Sequence, residues 1–331
     1  MCADDNTLYS VPSMEKVPEK YDDRITEMSE MHHKIAAEQL REDDSIRSQS
    51  LAQMREFIAK HPHIKKCRTD AQFLLRFLRS KKYSINSATE VLERFLIARK
   101  VHPQWFYPLD IEDPELNAFA DTGYLFPLPE RDAKGRAMIF NETGKLDPTK
   151  FAAHHVTRMH MMVYESLMDQ SDTQCAGVVH VYDLTGMTMA QISLVTLNEI
   201  KALAGYLNKA TPMRIQEFHF VNTPGATATI VNFAMQLLSD KLRERVFCHN
   251  NWDELYAVLD KNLLPKEFGG KIPKAELIEQ FKQRCQKLRG RLLTMSEFDI
   301  EITKDSKYWQ ETTDAELETG AVGSFRKLTV D

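Results

Sequence analysis

Between Phe218 and Ser239 the chain carries no Asp, Glu, Lys or Arg. A run of that length could on paper cross the ~30 Å hydrocarbon layer of a bilayer. Its interior argues otherwise, because Asn222, Thr223, Pro224 and Gly225 interrupt it and Asn232 and Gln236 follow. Two elements of different period therefore meet at a turn: a strand at Phe218 to Val221 and a helix from Ala226 to Leu238. On the helix, Thr229, Asn232, Gln236, Asp240 and Arg243 form one narrow polar stripe. Ile230, Val231, Phe233, Ala234, Met235, Leu237 and Leu238 cover much of the remaining circumference, more than a single core-facing stripe needs. Two readings follow. Either the helix is buried between layers, or it is a lid with one face over an apolar cavity and the other toward lipid. Lys241, Arg243 and Arg245 come next and place cations at one end of the apolar surface, as interfacial anchoring requires; Asp240 and Glu244 allow an ordinary solvated face instead.

Charge is segregated along the chain. The 43 Lys+Arg and 48 Asp+Glu leave a net −5, so the whole molecule is no polyanion binder and local clusters decide. Residues 1–56 hold 13 acidic against 7 basic residues. Residues 60–82 then hold Lys60, Lys65, Lys66, Arg68, Arg76, Arg79, Lys81 and Lys82 against Asp70 alone. Nucleic-acid binding by this segment lacks a base-stacking platform. Thr69 with Gln72 and Ser87 with Glu90 match capping boxes ahead of Phe73, Leu74, Phe77, Leu78 and of Val91, Leu92, Phe95, Leu96. They predict a helical hairpin joined at Tyr83 to Asn86. Ile46, Leu51, Met54, Phe57 and Ile58 predict a further amphipathic helix.

From about residue 120 the pattern changes. Ala137 to Phe140, Gly177 to Tyr182 and Phe218 to Val221 are strand candidates separated by segments long enough for crossover helices. Met159 to Met168 and Leu194 to Leu207 have helical spacing. This alternation predicts βαβ units and a mainly parallel sheet. Val178, His180, Tyr182 and Leu184 then face one side, and Val179, Val181 and Asp183 the other. Asp183 before Thr185-Gly186 reads as a turn cap. The expected divisions are an acidic, flexible leader at 1–40, a helical domain at 41–110, an α/β domain at 111–272, and a basic helix with a polar tail at 273–331.

Catalytic signatures are sparse. With 12 glycines, neither G-x-G-x-x-G nor the P-loop pattern occurs, and there is no G-x-S-x-G elbow. The five cysteines are scattered, which excludes a disulfide framework or a Cys-based zinc site and fits a reducing, cytoplasmic setting. His154, His155 and His160 lack the i, i+4 spacing of a helical metal pair. Cys285 and Arg291 have the separation of a phosphatase loop, but they lie on one continuous basic helix without the glycine-bearing turn that lowers a thiol pKa. No enzyme activity, metal or cofactor is expected.

Four ordered motifs span about 200 residues: Phe73-Leu-Leu-Arg-Phe-Leu-Arg79, Val178 to Tyr182 with Asp183-Leu-Thr-Gly186, Phe220-Val-Asn-Thr-Pro224, and Leu263-Leu-Pro-Lys-Glu-Phe-Gly-Gly270. Together they resemble the CRAL-TRIO family. The resemblance implies an N-terminal helical domain and an α/β lipid-binding domain whose pocket has a sheet floor and a mobile gate helix, here Ala226 to Leu238. By similarity to the retinaldehyde-binding and tocopherol-transfer branch, His160, Tyr164, Val178, Tyr182, Met187, Leu203 and Leu207 surround the ligand, with Ile230, Phe233 and Leu237 on the gate. His160 and Tyr164, one turn apart, are the polar candidates for a ligand hydroxyl or aldehyde. Basic positions that bind phosphoinositide headgroups in that branch match Lys81, Arg214, Lys241 and Arg245, while Gln216 departs from the pattern. The phosphatidylinositol-transfer branch matches at Lys82 and Arg245 but has an acidic residue where Met213 stands, which favours a small apolar lipid over a whole phospholipid. The resemblance thus implies a monomeric carrier of a retinoid- or tocopherol-like lipid, reversibly bound to membranes containing phosphatidylinositol bisphosphate. The competing reading is a lipid-responsive regulatory or scaffold module without transfer.

Overall fold

A computed structural model describes residues 5–223 and 225–303. Helix starts are set by carboxylate caps. Asp43 Oδ1 accepts from the Ile46 N–H at 2.7 Å and opens α1, Asp44–Lys60. Asp70 Oδ1 accepts from the Phe73 N–H at 3.1 Å and opens α2, Ala71–Ser80. The expected Thr69 cap thus moves one residue on. The reason is local: Arg68 grips both oxygens of Asp70 at 2.9 Å, and Gln72 is drawn away to the Thr26 N–H at 2.8 Å. The third helix, α3, spans Ile85–Val101 and starts before the expected Ser87 box. Its turn from α2 holds Lys82 and Tyr83 at φ 49° and 62°, two successive left-handed residues that cost roughly 1–2 kcal/mol each. Met54, Ile58, Phe73, Phe77, Leu92 and Phe95 knit the three helices into one core.

The strand β1, Ile64–Lys66, lies among these helices. The main sheet holds β2 (Leu125–Pro127), β3 (Ala137–Glu142), β4 (Val178–Asp183), β5 (Ile215–Val221) and β6 (Val246–His249), in that spatial order. β2 pairs antiparallel with β3, and the remaining pairs are parallel. A short β7, Asp299–Ile300, returns to pair antiparallel with β1. Because β3 to β6 follow one another in space as in sequence, right-handed crossovers send every connecting helix to the same face. The main ones are α4 (Ala153–Met168), α5 (Leu197–Lys209), α6 (Gly225–Gln236) and the short α7 (Asp240–Arg243).

Register fixes which side chains meet them. Asn141, Tyr182, Phe220 and Cys248 form one row, and Ile139, His180, Phe218 and Val246 the next. This face meets α4, where the Tyr164 and His180 rings stand 5.6 Å apart. The opposite face is closed by the segment after β6: Phe140 packs on Phe268 at 4.9 Å and Phe268 on Trp252 at 4.6 Å. The closing motif needs its glycines. Gly269 has φ 96°, and a Cβ on Gly270 would sit 1.6 Å from the Leu264 carbonyl oxygen. Asp183 Oδ1 accepts from the Thr185 N–H at 3.0 Å and its hydroxyl at 2.6 Å, the turn cap expected from sequence. The C-terminal helix α8, Lys274–Leu293, buries Leu277, Phe281, Cys285, Leu288 and Leu292 in the main core.

Two sequence expectations change in three dimensions. The leader, expected to be flexible, is laid onto the body: Leu8, Met14, His32, Ala36 and Leu40 are buried, and the Ala71 N–H donates to the Asp22 carbonyl at 2.8 Å. Its apolar anchors are spaced widely among acids, so average composition conceals them. The basic run at 60–82 also divides. Arg68, Arg76 and Arg79 are fully buried. Asp169 accepts from Arg68 at 2.9 Å, Arg76 at 2.8 Å and Arg291 at 2.6 Å. Glu165 takes Arg76 at 2.7 Å and Arg99 at 2.6 Å, and Glu42 takes Arg79 at 2.8 Å. Burial works to raise the Asp169 pKa, yet these arginines hold it well below the usual carboxylate range. This network joins the helical domain to α4 and α8.

Candidate functional site

The helix-side face of the sheet carries a string of rings. Tyr124 meets His160, His160 meets Tyr164, Tyr164 meets His180, His180 stacks on Tyr182, and Tyr182 stacks on Phe220 at 5.0 Å. Desolvation acts strongly along this wall. It pushes the Tyr182 hydroxyl well above its ordinary range and the His180 imidazole down to about 3; His160 is also lowered, by burial, against the opposing pull of its bond to Val156. Nevertheless Tyr182, Phe220 and His160 keep accessible surface, whereas His180 has none.

The tautomer of His160 follows from its partner. Nδ1 lies 2.8 Å from the Val156 carbonyl oxygen, which can only accept, so Nδ1 carries the proton. With the ring neutral, Nε2 presents a lone pair. Tyr164 Oη is 3.5 Å from His180 Nε2, too long to engage its hydroxyl firmly. Leu203, Leu207 and Met187 are half-buried, Leu203 and Leu207 packing against the main core from α5. Val178, in contrast, is completely buried and offers no surface.

On α6, Phe233, Ala234, Met235, Leu237 and Leu238 are half-buried while Asn232 and Gln236 are exposed. Complete burial between layers therefore does not hold. The Ile230 side chain lies outside the described residues. The helix contacts α5 and the short helical turn Met189–Ile192, where Met189 and nearby Leu197 are 49% and 60% exposed. Two asparagines that sequence reasoning missed frame it. Asn208 on α5 donates to the Leu237 carbonyl at 3.0 Å and accepts from the Ser239 N–H at 2.8 Å. Asn222, at φ 57°, in the amide orientation its neighbours favour, accepts from Trp252 Nε1 at 3.2 Å and donates to the Asn250 carbonyl at 3.1 Å. Each amide satisfies backbone or side-chain groups on two elements, a role invisible in a helical wheel.

Five cations converge beyond the end of α6. Burial lowers the Lys241 pKa first, and repulsion from Arg245, Lys81, Lys82 and Arg214 lowers it further. Lys81 and Lys82 follow α2, Arg214 precedes β5, Lys241 is on α7, and Arg245 precedes β6. Among the described residues, no carboxylate forms an ion pair with any of the five. Arg214 donates to the Cys175 carbonyl and Arg245 to the Ile215 carbonyl, so both are held in place by neutral acceptors. Gln216, the departure from the family pattern, turns its amide to the Ala176 carbonyl at 2.9 Å. Arg243 differs from its neighbours, being paired with Asp240 at 3.1 Å.

Other chemistry finds little support in geometry. Cys285 is fully buried in the middle of α8, and burial pushes its thiol far up. Glu115, His154 and His155 bring ligand atoms within 4.8 Å of one another. However, His155 Nδ1 accepts from the Ala152 N–H at 3.1 Å, which leaves the proton on Nε2, 2.9 Å from Glu115. That imidazole is satisfied at both nitrogens. Among the described residues, no helix is long and apolar enough to cross a membrane.

Comparison with known proteins agrees with this arrangement. Residues 121–270 match the CRAL/TRIO domain model, and residues 43–116 match a Pinta-like UBA domain. Clavesin-1 of Mus musculus is 28% identical over 236 residues, covering 71% of this chain and 67% of the relative. Clavesin-2 of Homo sapiens is 26% identical over 236 residues, covering 71% and 72%. The structure of Sfh5 aligns at 13% identity with a TM-score of 0.42, covering 89% of this chain and 100% of that one, a likeness too loose to add to the fold. Motifs, sheet topology and family match together assign residues 121–270 of this chain to the CRAL/TRIO domain family.

Proposed function

We propose that this protein binds a small hydrophobic lipid, retinoid- or tocopherol-like in size, and exchanges it at membranes containing phosphatidylinositol bisphosphate. The observation that carries the reading is the half-open aromatic wall, in which Tyr182 and His160 are desolvated but retain free surface. The ligand enters beneath α6, whose half-buried apolar side chains exchange protein contacts for bilayer contacts when the helix moves. Lys81, Lys82, Arg214, Lys241 and Arg245 meet the anionic headgroup. A headgroup favours release only by binding the open state better than the closed one. The protein then works in the cytoplasm as a reversible peripheral carrier, without catalysis.

The wall also selects the ligand's polar end. His160 Nε2 accepts only, while Tyr164 can donate, so a hydroxyl satisfies both and an aldehyde oxygen satisfies Tyr164 alone. One neutral hydrogen bond contributes about 1 kcal/mol, or roughly fivefold in affinity. Fluorescence titration should therefore show retinol binding about fivefold tighter than retinaldehyde, with His160→Phe removing the difference. Tighter aldehyde binding, or a ratio unmoved by His160→Phe, contradicts the assignment. Rapid ligand exchange between vesicles supports a carrier; tight occupancy without exchange supports the regulatory module instead.

A further inference from the structure

A cavity of about 220 Å³ opens between β2, the start of β3, the end of α4 and α8. It shares no lining residue with the aromatic wall. Leu128, Leu167 and Phe281 give it a buried apolar side. Arg131 and Arg284 also line it; among the described residues Arg284 has no carboxylate partner, and that of Arg131 is more distant than those of the arginines around Asp169. Arg284 directs Nε and Nη2 to one acceptor, the Ser166 carbonyl, at 3.1 and 2.7 Å. Its Nη1 has no protein acceptor among the described residues. Arg131 is held by the Gly135 carbonyl at 3.3 Å, Gln170 Oε1 at 3.2 Å and Thr173 Oγ1 at 2.9 Å. Asp172 stands 3.8 Å away and is shared with His32 at 3.2 Å.

The contrast with Asp169 is informative. There three arginines converge on a carboxylate; here two guanidinium groups face one space, and the protein supplies mainly neutral acceptors. Burial lowers both arginine pKa values, and for Arg131 the charge of Arg284 adds repulsion against the pull of Asp172. An anion entering the cavity relieves this repulsion, and the planar guanidinium fork suits an oxyanion with more than one oxygen. The volume exceeds the ~150 Å³ apolar cavity that admits benzene, so a compact apolar group fits beside the charge.

We propose that this cavity binds a small soluble organic anion, a carboxylate or phosphate monoester bearing a compact apolar group, with Arg284 and Arg131 on the oxyanion and Leu128, Leu167 and Phe281 on the apolar part. Titration calorimetry of the full chain with phenyl phosphate should give one binding event per molecule, at least tenfold tighter than with inorganic phosphate. Arg284→Gln should weaken it at least tenfold. Gln280→Glu provides a fold-safe second variant: Gln280 is an exposed lining residue whose amide, among the described residues, bonds only Glu276, at 3.2 Å. Its new carboxylate supplies an internal counter-ion and should suppress binding, with the thermal melt unchanged. Soluble inositol trisphosphate should not displace phenyl phosphate, since the headgroup cations lie elsewhere. Equal affinity for the two phosphates, indifference to Gln280→Glu, or displacement by inositol trisphosphate overturns the proposal.

Discussion

Replacing Lys82 and Lys241 together by Gln isolates the electrostatic part of the proposed membrane docking. Neither side chain makes a hydrogen bond or ion pair with a described residue, so their removal leaves the surrounding contacts intact. Both belong to the five-cation cluster in which burial first, and then mutual repulsion, depresses the Lys241 pKa, and an anionic surface offsets that repulsion. Each basic group near such a surface contributes about 1 kcal/mol. The double variant should therefore lose about 2 kcal/mol, a roughly 30-fold fall in partition onto vesicles containing phosphatidylinositol bisphosphate. Vesicle flotation measures this directly. Arg243→Gln is the internal control, because Asp240 neutralises Arg243 at 3.1 Å; its loss should weaken binding by less than about threefold. At 1 M salt, where the Debye length is about 3 Å, the gap between wild type and double variant should nearly close. An equal deficit on neutral vesicles, a salt-independent gap, or an Arg243→Gln deficit as large as that of the double variant would refute the reasoning.

Two predictions concern stability. Asp169→Asn removes the charge shared by Arg68, Arg76 and Arg291 and should cost about 3–5 kcal/mol in urea melts. Asp110→Asn, which breaks the more exposed pair with Arg289, should cost at most about 1 kcal/mol; similar losses in the two would contradict the buried-network account. His180, lowered to about 3 by burial and then by His160, stays neutral in the folded state while the unfolded chain protonates below pH 6.5. Its contribution is thus complete above pH 6.5 and declines as pH falls toward 3, by about 2 kcal/mol at pH 5. His180→Gln should shrink the stability difference between pH 7.5 and pH 5 by that amount; an unchanged difference counts against a desolvated imidazole at this position.

The positions of the basic cluster came from the resemblance to the family; the chain's one-dimensional order itself specified the alternation of helix and strand, the turn at Asp183 and the strand–turn–helix at 218–239. These are local matters of period, capping and charge, readable without knowing what lies opposite. Pairing across the chain was not. Arg79 and Lys81 are equally basic in sequence, but Arg79 is buried against Glu42 while the half-buried Lys81 joins the cation cluster. The acidic leader reads as solvated until Leu8 and Leu40 find apolar partners. Likewise, alternation put His180 and Tyr182 on one face of β4, but only the consecutive strand order, with all crossovers on one side, decided that this face meets the helices. Burial, counter-ion choice and the proton position on His160 depend on atoms far away in sequence, because desolvation and Coulomb energy respond to distance in space. Tertiary structure alone could therefore distinguish a charge paired with a distant carboxylate from one left without a carboxylate partner among the described residues.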